Sequence, residues 1–104
     1  MNDMTDFNQI TKFFTAMGDP IRLQILLLLR SKPLNVGDIA NQFQISRPAI
    51  SHHLRVLKEA NILESKKAGQ EVYYTINKAY ITDELRAIAD KLERIDESDV
   101  DKES

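Results

Sequence analysis

Five side chains able to do chemistry fall within one short stretch: Arg47, Ser51, His52, His53 and Arg55. Arginine presents a planar fork of donors that matches guanine O6 and N7 or a phosphate, while serine and histidine add short, adaptable hydrogen bonds. A hydrolytic pairing of Ser51 with His52 or His53 fails on geometry, because residues one or two apart on a helix do not face each other. Metal binding fails similarly: the two histidines of the chain are adjacent, so they point about 100° apart instead of aligning at i and i+4. With three glycines in all, the chain also has no nucleophile elbow and no phosphate-cradling loop. No enzymatic activity is expected, and the set suits recognition of a polyanion.

The surrounding pattern specifies the element that must carry these groups. At 100° per residue, Ile50, Leu54 and Leu57 share one side, with Pro48, His52, Arg55 and Glu59 opposite and Ser51 and Ala49 on the flanks. Ser46 is a good N-cap, Pro48 sits where its missing N–H costs nothing, and Ile45 and Ile50 have the spacing of a hydrophobic staple. Upstream, Val36, Ile39, Ala40 and Phe43 recur at helical spacing behind an Asn35 cap. Two short helices joined by Gln44-Ile45 make a helix-turn-helix candidate, whose second helix, residues 46–60, would enter a major groove through its N-terminal residues. Arg47, Ser51, His52 and Arg55 are then the reading set. His53, at the edge of the apolar side, is expected to be a packed support, with a phosphate contact as its other possible role.

Ile62 to Lys66 and Glu71 to Ile76 have strand composition and flank Lys67-Ala68-Gly69-Gln70. A β-hairpin is predicted there, a wing at residues 66–70 with Lys66 and Lys67 at its tip, able to reach the backbone or the minor groove. Toward the N-terminus, Phe7, Ile10, Phe14 and Met17 form an amphipathic stripe ending near Gly18. Asp19 and Pro20 then open a second helix, to about Arg30, that is apolar almost all round and is expected to be covered by its neighbours. In the last helix, Ile81, Leu85, Ile88, Leu92 and Ile95 alternate spacings of four and three. That pattern predicts an interchain seam shared with the first helix, against the alternative of a helix lying back on its own domain. Residues 1–95 are expected to form one DNA-binding and dimerisation domain, and the acidic stretch 96–104 a disordered tail.

A chain of 104 residues with 42 % apolar content can build one core with little margin, which dimerisation would supplement. The net charge of −2 hides a strong partition. Residues 21–78 carry nine Lys/Arg against four Asp/Glu, whereas residues 79–104 carry four against nine. Positive charge is thus concentrated on the helix-turn-helix and hairpin. The chain has no cysteine and no apolar run long enough to span a bilayer, and a cytoplasmic location is expected.

Several of these stretches together resemble the ArsR/SmtB family of small bacterial winged-helix repressors. They are Phe14 to Leu26 with its Gly18-Asp19-Pro20-Ile21-Arg22-Leu23 core, Ile50-Ser51-His52-His53-Leu54, the Leu57-Lys58 step, and Gly69 followed by Val72-Tyr73-Tyr74. The likeness runs from about Phe14 to Arg94. It implies a mainly α fold with a small β-hairpin, in the order α-α-α-α-β-β-α. It further implies a homodimer that binds a palindromic operator on double-stranded DNA and represses until a signal arrives. Metal-sensing relatives take thiolates from a Cys-Val-Cys step, where this chain has Asn35, Val36 and Gly37, or use histidines and carboxylates of the last helix. Here that helix offers Asp83, Glu84, Asp90 and Glu93 without a histidine, so neither a metal nor another cofactor is expected. The resemblance is nearest to the metal-free autorepressor subgroup, in which relief comes from a protein anti-repressor or is not built in. The rival reading is a winged helix serving as a protein-interaction module without DNA binding. An apolar or acidic outer face at residues 47–59 would mark it, in place of Arg47, Ser51, His52 and Arg55.

Overall fold

The computed structural model describes residues 3–94. Its elements run α1 (Asp3–Met17), α2 (Pro20–Leu29), β1 (Leu34–Asn35), α3 (Val36–Gln42), α4 (Arg47–Glu59), β2 (Leu63–Ala68), β3 (Glu71–Ile76) and α5 (Lys78–Glu93). Each boundary that the sequence marks with a capping residue is closed by that residue's side chain. Asp19 Oδ1 accepts from the amides of Ile21 and Arg22, Asn35 Oδ1 from Asp38, and Ser46 Oγ from Ala49. Such caps satisfy amides that a helix leaves without partners and each contributes about 1 kcal/mol.

The core gathers one stripe from each of the first four helices: Phe13 and Ala16, Ile25 and Leu29, Ile39, then Ile50, Leu54 and Leu57, closed by Ala60, Ile62 and Leu63. Burying each large aliphatic side chain contributes roughly 1.5–3 kcal/mol, so the α4 trio alone anchors that helix firmly. The α1 stripe is displaced from its expected centre. Phe13 is the buried aromatic, and Phe14, set against it edge-to-face with ring centroids 5.8 Å apart, faces out.

Two further expectations are corrected. The hairpin gains a third strand, because Leu34 and Asn35 pair with Tyr74 and Tyr73 to give an antiparallel sheet of order β1-β3-β2. Two residues are too few to show a strand period, and Asn35 is legible in sequence only as a cap. Secondly, α2 is not covered all round: Ile25 and Leu29 are buried, but Leu23 and Leu27 are exposed, Leu27 by 60 %.

The end of α4 is tied directly to the sheet. Asn61 adopts a left-handed conformation, φ 64°, and its amide bonds Lys58 O while the amide of Ile62 bonds Leu57 O, both at 2.9 Å. These are the two hydrogen bonds of a Schellman motif, and Leu57 and Ile62 supply its apolar contact, both fully buried. Ile62 O in turn accepts from Asn77 at the start of α5. On α5, Tyr80, Ile81 and Ile88 pack against the core, and Glu84, one turn from Tyr80 and from Ile88, is buried with them. Leu85 and Leu92 face outward, so the predicted seam divides, half of it resting on its own domain. Ile95 and the acidic stretch 96–104 lie outside the described residues.

Candidate nucleic-acid interface

The buried trio of α4 fixes which way its other side chains point. With Ile50, Leu54 and Leu57 at 0 % exposure, Ser51, His52 and Arg55 are left on the exposed side, and Arg47 is exposed at the first helical position. Among the described residues no carboxylate pairs with Arg47 or Arg55, so both guanidinium groups remain available to an anion. Arg55 Nη2 lies 3.5 Å from His52 Nδ1, one turn back, which brings two members of the reading set together. Arg47 leans the other way. Its guanidinium lies over the first turn of α3, with Nη1 3.9 Å from where a Cβ on Gly37 would stand.

His53 is half-buried and does not share the outward face of His52. Its Nδ1 is 3.1 Å from Nη1 of Arg22, a residue the sequence reading gave no role of its own. Arg22 has two further bonds, from Nε to Ala16 O at 2.7 Å and from Nη2 to Thr15 O at 3.0 Å. One guanidinium therefore closes the C-terminal carbonyls of α1 while holding the middle of α4. The signal for it was present: Arg22 is the one charged residue inside the otherwise almost wholly apolar Ile21 to Leu29. Asp19 completes the cluster. Burial opposes its charge, but the hydrogen bonds from the amides of Arg22 and Ile21 and the adjacent Arg22 guanidinium outweigh that, holding its carboxyl below the ordinary 3.8.

The wing is arranged differently from expectation. Ala68 pairs with Glu71, so the turn is Gly69-Gln70, with Gly69 at φ 64°, and Lys66 and Lys67 lie within β2 below the tip. Successive strand residues face opposite sides. Leu63, Ser65 and Lys67 share the side on which the core and α4 pack, whereas Lys66 lies on the outer side with Tyr73 and Thr75, beside Lys32 and Pro33. The two lysines cannot both serve one phosphate track along the α4 side.

The residues proposed for dimer contact fall into two classes. Phe7, Phe14, Leu85 and Leu92 are exposed, Leu92 by 67 %, and Ile10, Ile81 and Ile88 are half-buried. Among the described residues no group of three or more His, Cys, Asp or Glu side chains is placed to hold a metal ion. No described helix is long and apolar enough to cross a membrane.

The stretch that contains the helix-turn-helix is similar in sequence to known proteins. Residues 19–65 match the family model of bacterial regulatory proteins of the arsR family. The chain is 43 % identical over 72 residues to the transcriptional repressor SdpR of Bacillus subtilis, covering 69 % of this chain and 80 % of that protein. It belongs to the ArsR/SmtB family. A transcriptional repressor SmtB homolog from Synechocystis is 33 % identical over 88 residues, covering 85 % of this chain and 67 % of that protein. Among solved structures, an ArsR-like transcriptional regulator from Rhodococcus sp. RHA1 superposes with a TM-score of 0.70 at 31 % identity, covering 93 % of this chain and 87 % of that one. As a member of the ArsR/SmtB family the chain is a DNA-binding transcriptional regulator and not an enzyme.

Proposed function

We propose that this ArsR/SmtB-family chain is a repressor that acts as a homodimer on a palindromic operator. The observation that carries this reading is the division of α4 into a fully buried apolar side and an exposed side bearing Arg47, Ser51, His52 and Arg55. In a major groove, Ser51 and Arg55 are suited to base edges, while Arg47 at the helix start and His53 at its flank are suited to phosphates. Lys67 extends the same side onto the wing, and Lys66 contributes from the outer side. The exposed apolar residues of α1 and α5, Phe7 and Phe14 with Leu85 and Leu92, are the surfaces proposed to meet across the dimer, with Ile10, Ile81 and Ile88 behind them. A dimer would place two α4 helices about 34 Å apart, one turn of the duplex. With no thiolate or imidazole ligand set in the chain, relief of repression by a protein partner is the reading the composition favours.

The test is selection of bound fragments from the source genome, followed by titration at several salt concentrations. Selective binding to an inverted repeat, weakening steeply with salt, is expected. A protein that retains no duplex selectively at low salt would overturn the reading in favour of a protein-interaction module.

A further inference from the structure

The contact between Arg22 and His53 determines where the proton of that imidazole sits. Arginine has donors and no acceptor, and it stays charged throughout the range in which proteins fold. Nη1 at 3.1 Å from Nδ1 therefore requires Nδ1 to accept, which in the neutral ring leaves the proton on Nε2. The guanidinium cannot easily yield, because its other nitrogens are committed to Ala16 O and Thr15 O. The half-buried ring of His53 is thus fixed in rotation and in tautomer, with one N–H directed away from Arg22.

We infer that Arg22 is a positioning residue for DNA binding: it sets His53 as a neutral Nε2–H donor to a backbone phosphate at the flank of α4. The inference rests on the DNA-binding reading above and adds the role of Arg22 and the charge state of the contact. A donor locked in place loses little freedom when the phosphate arrives, and it needs no proton uptake to bind. A second proton on His53 would put an N–H against the guanidinium. Asp19 also lies within electrostatic reach of the ring, and its carboxylate is held by the amides of Ile21 and Arg22. Because Arg22 also ends α1, displacement of that helix would turn the ring, so that the apolar face of α1 and the DNA contact share one guanidinium.

Two substitutions separate the halves of the ring. In His53→Asn the amide oxygen can stand where Nδ1 stands and still accept from Arg22, while the donor at the Nε2 position is lost. In His53→Gln the terminal amide reaches the Nε2 position, while the acceptor for Arg22 is lost. His53→Asn should keep the melting temperature close to wild type and weaken operator binding about tenfold or more, with the salt slope unchanged because no charge is removed. His53→Gln should bind better than His53→Asn and melt earlier. Nitrogen-15 spectra of the free protein at about pH 8, where imidazole is neutral, should show His53 protonated on Nε2. A proton on Nδ1, or operator binding by His53→Asn equal to wild type, overturns the inference. A salt slope lowered by about 0.9 in His53→Asn would make the contact cationic and overturn it equally. If the wild-type protein binds no duplex, the DNA-binding reading fails instead, and the spectra still report the tautomer.

Discussion

Gln9 on α1 donates a hydrogen bond to the hydroxyl of Tyr80 on α5 at 3.2 Å, joining residues 71 apart in sequence. The two helices that carry exposed Phe7, Phe14, Leu85 and Leu92 are thereby bonded to each other within one chain. Tyr80→Phe removes the hydroxyl and keeps the ring. The net cost to folding should be small, about 0.5–1.5 kcal/mol, since the bond is exposed. Sedimentation should nevertheless show weaker self-association, because α1 and α5 are then less well fixed relative to each other. Unchanged self-association would show that this bond does not order the surface.

Leu92→Glu places a charge where the structure leaves a large apolar side chain two-thirds exposed. The monomer should melt as before, because nothing in its own core is removed, while the oligomer dissociates and binding to a two-half-site operator falls. A variant that remains dimeric would move the interface elsewhere.

Arg55→Ala and Ser51→Ala remove exposed side chains and leave the buried trio of α4 intact. Each should narrow the gap between operator and random DNA by about 1–3 kcal/mol if the lost contact is to a base. Equal weakening on both DNAs, measured by fluorescence anisotropy, would assign the contact to phosphate.

The opposite orientations of Lys66 and Lys67 make a comparison possible within one strand. Lys67→Ala should reduce the slope of log K against log salt by about 0.9, the signature of one lost phosphate contact, with Lys66→Ala having the smaller effect. The reverse order would place the outer side of the sheet against DNA.

Asp19 links stability to acid. Its carboxyl is held below 3.8 in the folded chain, so its charge stabilises the fold above the unfolded value and that contribution is lost as pH falls through the lower folded value. Asp19→Ala should cost about 0.5–2 kcal/mol at neutral pH through the lost cap. Thermal melts should show the gap between wild type and Asp19→Ala closing below about pH 3.8. A gap constant with pH would mean that the charge contributes nothing.

The caps, the register of α4 and the existence of the hairpin were legible because each has a local cause: a side-chain oxygen reaching a nearby amide, or a spacing that repeats. What was not legible depends on distance in space. Phe13 and Phe14 are adjacent and equally apolar, and only the packing of α1 against the other helices decides that Phe13 is buried. β1 exists because β3 pairs with it, a cause 38 positions away from Asn35 to Tyr73. Lys66 and Lys67 could be placed on the wing but not on a side, since a register one residue different would exchange them. Arg22 belongs to the same class, for its three partners lie on two other helices.

The turn at Asn61 has a further consequence for how such a molecule is controlled. Helix α4 passes into β2 through Ala60, Asn61 and Ile62, whose amides all bond back to α4 while Ile62 O also accepts from Asn77, and the sheet begins without slack. The groove-reading helix and the wing are consequently one rigid fork, with no joint between prong and handle. In the proposed dimer, an effector would find little to bend inside a single copy. What remains adjustable is the gap between two forks, so control would act as calipers act, by changing a span that either matches the pitch of the duplex or misses it.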